Sequence, residues 1–273
     1  MSLKIIDLEE NFIRFEISDV SPAEANALRR TILSDVPKLA IEKVMIHHGQ
    51  IRDKDENVFG SSLPLFDEMV AQRLSMIPLK TDLKMNFRDQ CSCEGKGCPL
   101  CTVTYSVNKL GPGTVMSSDL QPLSNPAAIP VDPEIPIVKL SEKQAMLVTA
   151  DAVMGRGYEH SKWQVATGIS YKYHREFVLP KDSEKDWKAL KERYPRSLVS
   201  EDSSTITFTD DFGNREITTL GDVEGVVVKE DKNRFIFKYE TDGSVDALAV
   251  LDYSLKRIPQ RLNTMLDSLV TVD

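Results

Sequence analysis

Cysteine is absent everywhere except between residues 91 and 101, where all four cysteines of the chain fall. A disulfide framework spreads its bridges through a chain, so this clustering points away from one and towards an intracellular metal site. Basic excess is missing as well. The 34 lysines and arginines are outnumbered by 42 aspartates and glutamates, for a net charge of −8. Non-specific nucleic-acid binding needs a basic surface that displaces counterions; this balance argues against it and leaves only a local basic patch open. No stretch approaches the roughly 18 apolar residues of a membrane span. The opening MSLKIIDLEE is acidic and has no long apolar core, so neither a secretory signal nor a transit peptide is expected. A glycine-rich phosphate loop is lacking, as is an acidic D-x-D triad of the kind that holds catalytic magnesium, which leaves phosphoryl or nucleotidyl transfer without an active site here. What remains is the composition of a soluble globular protein, 41% hydrophobic and 28% charged. A length of 273 residues accommodates one large domain or two to three small ones.

The most organised stretch is Ser21–Ile46, SPAEANALRRTILSDVPKLAIEKVMI. Ser21 suits an N-cap, Pro22 suits the first helical position, and Glu24 lies three residues after the cap, which together make a capping box. Ala25, Leu28, Ile32 and Val36, widened by Leu33, form one apolar face of a short helix. Pro37 stops it, because proline disfavours helical geometry at the residue before it, and Ala40–Ile46 reads as a strand. Far along the chain, Leu248, Leu251, Leu255, Ile258, Leu262, Met265 and Leu269 keep a strict 3-4 rhythm, the signature of a heptad seam. Burying all of them would stabilise by about 10–20 kcal/mol before entropy is subtracted. The first helix is too short to cover that seam. Part of it therefore packs on a local sheet or is offered to another chain. Pro259 removes a backbone donor inside the seam and is expected to kink the helix.

The cysteines lie in CSCEGKGCPLCTV as Cys91, Cys93, Cys98 and Cys101. Four thiolates in a compact loop can close a tetrahedral site, and Gly95 and Gly97 relieve the tight backbone it requires. Zinc, an iron–sulfur cluster and four unligated thiols all stay open on the residues, although C-x-C-x4-C-x2-C is not a ferredoxin spacing. A closed four-cysteine site leaves no position for water, so its expected role is structural.

The rest of the chain reads as follows. Residues 1–20 form a hairpin with Ile13, Phe15 and Ile17 on its half-buried strand. Gly49–Ser62 is a loop. Phe66–Ser75 is a second helix with Phe66, Met69, Val70 and Leu74 on one side and Arg73 as a solvated or ion-paired residue. Thr102–Val107, Ile135–Leu140, Ala145–Ala150 and Ile169–Tyr173 are strands, whereas proline-rich Gly111–Pro133 is largely irregular. His160, in GRGYEHSKW, has no nucleophile or second acid placed with it and reads as a packed or hydrogen-bonded structural histidine. Trp187, Leu190 and Tyr194 form the buried side of a charged helix, and DDFGN (Asp210–Asn214) is a turn. Asp210 and Asp211 offer a cation two carboxylates, but nothing else completes a site; a solvated acidic face is the simpler reading. Val226–Val228 and Phe235, Phe237 and Tyr239 return to strand pattern before a turn at Asp242–Gly243 and a capping Ser244.

ANALRRTILSDVPKLAIEKV, FDEMVAQRLSMIPLKTD (Phe66–Asp82) and GRGYEHSKW (Gly155–Trp163), in that order, resemble motifs of the alpha-like subunits of multisubunit RNA polymerase. The archaeal branch of that family, the D-type subunits, resembles the chain most, with the third-largest subunit of eukaryotic polymerase II as a relative of it. The resemblance implies an α+β fold in three parts. Residues 1–46 and 229–273 would form a discontinuous alpha-subunit-like dimerisation domain, an antiparallel sheet with two packed helices. Residues 47–176 would be an inserted mainly β domain carrying the four-cysteine loop. Residues 177–228 would be a small α+β ferredoxin-like insert; having no cysteine, it is expected to hold no iron–sulfur cluster. The implied function is a non-catalytic assembly subunit of DNA-directed RNA polymerase. It would pair with a smaller alpha-like chain, archaeal subunit L, beside subunit N, and form the platform for the large catalytic subunits. Ala25, Leu28, Ile32, Leu251, Leu255 and Leu262 would build the dimer core, with polar contacts from Asn26, Arg29 and Arg30. One structural zinc on Cys91, Cys93, Cys98 and Cys101, a cytoplasmic location, no membrane and no direct nucleic-acid contact complete the expectation. A stand-alone zinc-binding interaction adaptor is the alternative; it predicts a monomer whose apolar helix faces are already covered. A small metalloenzyme on the cysteine loop would need the open coordination position that four cysteines deny.

Overall fold

A computed structural model describes residues 1–182, 186–210 and 215–270. In chain order the elements are β1 (Ser2–Leu8), β2 (Phe12–Ser18), α1 (Pro22–Ser34), β3 (Pro37–Ile46), β4 (Gln50–Arg52), β5 (Val58–Gly60), α2 (Asp67–Ser75), β6 (Thr102–Leu110), β7 (Gly113–Met116), β8 (Gln121–Pro122), β9 (Pro136–Leu140), β10 (Ala145–Arg156), β11 (Ala166–Pro180), α3 (Trp187–Arg193), β12 (Leu198–Glu201), β13 (Thr205–Thr209), α4 (Arg215–Thr218), β14 (Val227–Thr241) and α5 (Ala247–Val270). The chain gathers into two compact units. One holds Met1–Arg29 with Gly168–Glu240, and the other holds Arg30–Thr167 with Thr241–Asp273.

The first unit is built on a six-stranded sheet in the order β1-β2-β14-β11-β13-β12. β1 with β2, β2 with β14, β11 with β13 and β12 with β13 pair antiparallel. Alternation sends Ile13, Phe15 and Ile17 of β2 and Phe235, Phe237 and Tyr239 of β14 into the interior. The Phe15 ring stacks on Phe237 at 5.1 Å, and Tyr171 stacks on the same ring at 5.0 Å. Such pairs contribute about 0.5–1.5 kcal/mol beyond the area they bury. The capping box at the start of α1 forms as the sequence predicts. The Ser21 N–H donates to Glu24 Oε2 at 2.7 Å, and the Glu24 N–H donates back to Ser21 Oγ at 3.3 Å.

Among its described residues, the expected small α+β insert at 177–228 is continuous with the large sheet. Its described residues supply two strands, β12 and β13, and these join the large sheet through β11, which runs unbroken from 166 to 180. Phe177, Leu179, Leu190, Ile206, Phe208, Ile217 and Leu220 form a local core there, with Trp187 and Tyr194 packed against it as partly buried neighbours. The expected turn at 210–214 lies outside the described residues but for Asp210.

The second unit centres on a four-stranded sheet, β3-β10-β6-β8. Leu39 and Ile41 of β3, Val103, Tyr105 and Val107 of β6, and Val148, Ala150 and Ala152 of β10 bury its core side, where Val70 and Leu74 of α2 also lie. Expectation and structure part in three places. Gly49–Ser62 is not plain loop: β4 and β5 form a small hairpin, whose turn is held by Asp53 Oδ1 accepting from the N–H groups of Asp55 and Asn57. The irregular stretch 111–133 contains β7, which pairs with β9, and β8, which pairs with β6. On α2 the buried side is Val70 and Leu74 alone, because Phe66 is 78% exposed and Met69 42% exposed. No helix among the described residues is long and apolar enough to cross a membrane.

Candidate metal centre and interface helix

The four cysteines converge. Their sulfurs all lie within 4.8 Å of one another, with Cys91 and Cys101 buried and Cys93 and Cys98 half-buried. Sγ separations are 3.5 Å for Cys91–Cys98, 3.6 Å for Cys93–Cys101 and 3.9 Å for Cys98–Cys101. A tetrahedral ion with metal–sulfur bonds of about 2.3 Å has sulfur–sulfur edges of about 3.8 Å, so the donor set fits such an ion.

Local backbone chemistry shapes this cage. Three turns close on themselves through Glu94 N–H to Cys91 O, Lys96 N–H to Cys93 O and Cys101 N–H to Cys98 O, at 3.0, 3.1 and 3.0 Å. Gly97 sits at φ +87°, where a Cβ would come within 3.3 Å of Arg88 Nη2 and 3.4 Å of Thr102 Oγ1. Gly95 sits at φ +76° and Glu94 at +53°, so both glycines serve as the sequence predicts. Arg88 braces the loop by donating from Nε to Gly95 O at 2.9 Å. Nothing but its place three residues ahead of Cys91 marks Arg88 in the sequence.

Burial raises the Cys93 thiol, but donation from the Gly97 N–H and from the three neighbouring cysteines outweighs it and leaves the group at about 6. At Cys98 the Leu100 N–H lowers the pKa, while the Cys91 thiol and burial raise it and win, pushing it up to about 11. One thiol of the cage thus ionises more readily than an ordinary cysteine, and an ion bound there would displace the remaining protons. Four thiolates complete a tetrahedron, which suits a structural role and leaves no place for a reacting water.

The expected interface residues divide into two groups. Ala25, Leu28, Ile32 and Leu251 are buried within the chain itself, at 2% exposure or less, and Leu255 is half-buried. A charge placed at Leu28 therefore acts first on folding. Asn26 Oδ1 accepts from Arg29 Nε and Nη2 at 3.2 and 3.0 Å, so these two side chains are paired within α1, while Arg30 is exposed. Leu262 belongs with Met265, Leu266 and Leu269, all between 57% and 69% exposed along the second half of α5. The helix continues through Pro259.

The other candidates serve structure. His160 Nδ1 accepts from the Lys162 N–H at 3.1 Å and caps a short 3-10 turn, as its structural reading requires. Arg73, rather than resting in solvent alone, donates to Ile137 O at 2.6 Å. Asp210 is buried and paired with Lys172, so it is no solvated acid; Asp211 lies outside the described residues. A cleft of about 480 Å³ on the first unit is lined in part by Arg14, Glu16, His174, Glu176, Arg196 and Arg234. Charges in it answer one another: Arg14 meets Asp7 at 3.3 Å and Arg234 meets Glu16 at 2.8 Å.

Residues 50–169 match the family described as RNA polymerase Rpb3/RpoA insert domain. Over nearly its whole length the chain is similar to curated proteins named DNA-directed RNA polymerase subunit Rpo3. It is 57% identical to that of Thermoplasma volcanium over 98% of this chain and 99% of the relative. Identity is 59% to that of Picrophilus torridus over the same shares, and 32% to that of Pyrococcus furiosus over 98% and 97%.

Proposed function

We propose how the molecule works from one premise: the chain belongs to the Rpo3 family of DNA-directed RNA polymerase subunits. It is a non-catalytic assembly subunit of that nucleotidyltransferase complex, and its partners are other polymerase subunits. In finer detail, it forms a heterodimer with a smaller alpha-like chain, the counterpart of archaeal subunit L. The pair then recruits subunit N and the large catalytic subunits in the cytoplasm. This chain contributes no active site and no direct nucleic-acid contact. The discontinuous module 1–46 and 229–273 is the part proposed to dimerise.

One observation carries this reading. The distal half of α5 exposes Leu262, Met265, Leu266 and Leu269 together. Four large apolar side chains on one exposed helix segment disfavour a lone soluble monomer, and a facing helix of similar pattern would cover them. A self-contained adaptor would have covered that face itself. Light scattering on the chain, alone and co-expressed with the smaller alpha-like subunit, tests the proposal. A one-to-one complex is expected; a soluble monomer that ignores the partner defeats it.

Zinc is the proposed ion, one per chain, held by Cys91, Cys93, Cys98 and Cys101. The all-sulfur tetrahedron supports that choice, since zinc takes this geometry without strain and the ion supplies folding energy where it binds. Elemental analysis should find one zinc per chain and none in Cys98→Ser. Iron in place of zinc would overturn the assignment.

A further inference from the structure

Within the second unit, the segment leading into α5 is tied to β3 and to residues 81 and 164–165 by a closed polar knot. At its centre lies Lys38 of β3, whose side chain is 5% exposed and pairs with Asp242, itself 21% exposed. Lys38 Nζ also donates to Gln164 O at 3.4 Å, and the Asp242 N–H donates to Val165 O at 3.1 Å. The second carboxylate oxygen of Asp242 accepts from the Ser244 N–H at 3.0 Å and from Ser244 Oγ at 2.5 Å. Ser244 O in turn accepts from the Thr81 N–H at 3.0 Å, and Thr81 Oγ1 accepts from the Leu39 N–H at 3.1 Å, returning to the residue beside Lys38. Gly243 makes the bend at φ +80°. Three residues after Ser244 the helix begins.

A buried ion pair is a weak source of stability, because desolvation offsets its attraction; it is a better source of direction. Here every member is satisfied, and the ties come from β3, from residue 81 and from residues 164–165. Asp242 meets both the buried cation and Ser244, which starts the turn into α5. We propose that Lys38 and Asp242 are positioning residues for α5: they fix the angle at which the helix sets out from β3, and so present its distal apolar stripe to the partner chain. The inference rests on the reading of that stripe as an interface.

The test uses the metal-loaded full chain and the double variant Lys38→Met/Asp242→Asn, which removes both charges and strands neither. Hydrogen exchange of amides 248–258 is expected to quicken at least tenfold, while amides of β6 and β10 keep their rates. Dissociation of the smaller alpha-like subunit should rise at least tenfold. Unchanged exchange in α5, or a matching acceleration through β6 and β10, overturns the proposal, since the knot would then carry nothing or only general stability. Leu262→Asp is the control on the premise. If it binds the partner as the parent does, the interface reading fails, and exchange in α5 still decides whether the knot holds the helix. Should the double variant fold poorly, Ser244→Ala removes only the hydroxyl bond to Asp242; it should give a smaller acceleration confined to α5.

Discussion

The two halves of α5 share one apolar rhythm and meet opposite fates. In the first half Val250 and Leu251 are buried, whereas in the second Leu262, Met265, Leu266 and Leu269 stand in solvent. Periodicity declares that a helix face is apolar and is silent about what covers it. The chain's own fold covers Val250 and Leu251, although Leu248 at the helix start is 45% exposed, and it covers none of those four in the second half. Polarity marks the change: Asp35, nearly buried, pairs with the exposed Arg261 at 2.8 Å, just where the stripe turns outward.

The sharpest way to break this contrast is to place one charge in each half. Leu251→Asp puts an unpaired carboxylate in a covered site and should cost about 4 kcal/mol or more, enough to unfold a marginal chain, as a thermal melt would read. Leu262→Asp puts the same charge in water. Its melt should stay within about 0.5 kcal/mol of the parent, while partner affinity falls by about 30-fold or more, the loss typical of a hot spot, in a titration with the smaller subunit. Equal effects on folding at the two positions would abolish the distinction between the halves.

How far the sequence alone reaches depends on how locally each feature is specified. Ser21, Pro22 and Glu24 define the start of α1 within four residues, and the structure returns the same bonds. The four cysteines are equally local, so their meeting could be read before any fold was known. The β4–β5 hairpin was hidden because Asp53 and Asn57 build its turn from polar residues that also suit a loop. Prolines around 111–133 masked β7 and β8 in the same way, since short edge strands tolerate them. Sheet partners are non-local: nothing in 166–180 announces that the end of β11 pairs with β13. The Lys38–Asp242 pair spans 204 positions, beyond any motif. The outward face of α5 was legible as apolar, but which residues were covered required the fold.

The cysteine loop extends the comparison, for it is a pattern completed inside the chain. Gly97→Ala tests how tightly. The new methyl must adopt φ +87° and press on Arg88 Nη2 and Thr102 Oγ1. A cost of about 1–2 kcal/mol is expected from the left-handed backbone. It should appear as faster loss of the bound metal to a chelator, with affinity for the proposed partner unchanged. A parallel fall in partner affinity would show that the completed site and the open one are not independent.

The smallest effect is expected at His174, a covered group in the first unit that no partner is needed to complete. It is 5% exposed, and its Nε2 lies 3.0 Å from Thr209 Oγ1 and 3.7 Å from Glu16. Burial and the Arg234 guanidinium hold its pKa below the usual histidine value, against the opposing pull of Glu16, Glu176 and Asp231. A folded-state pKa below the unfolded one means that the unfolded chain takes up the proton first as pH drops. The stability His174 contributes is therefore fully present above the unfolded value of about 6.5, and it is lost as pH falls through the folded value. In His174→Gln, which keeps a hydrogen-bonding side chain and cannot titrate, that loss should vanish. Denaturant midpoints of parent and variant should accordingly differ most above pH 7 and converge towards pH 5. The opposite slope would mean that Glu16 governs the histidine and that burial does not.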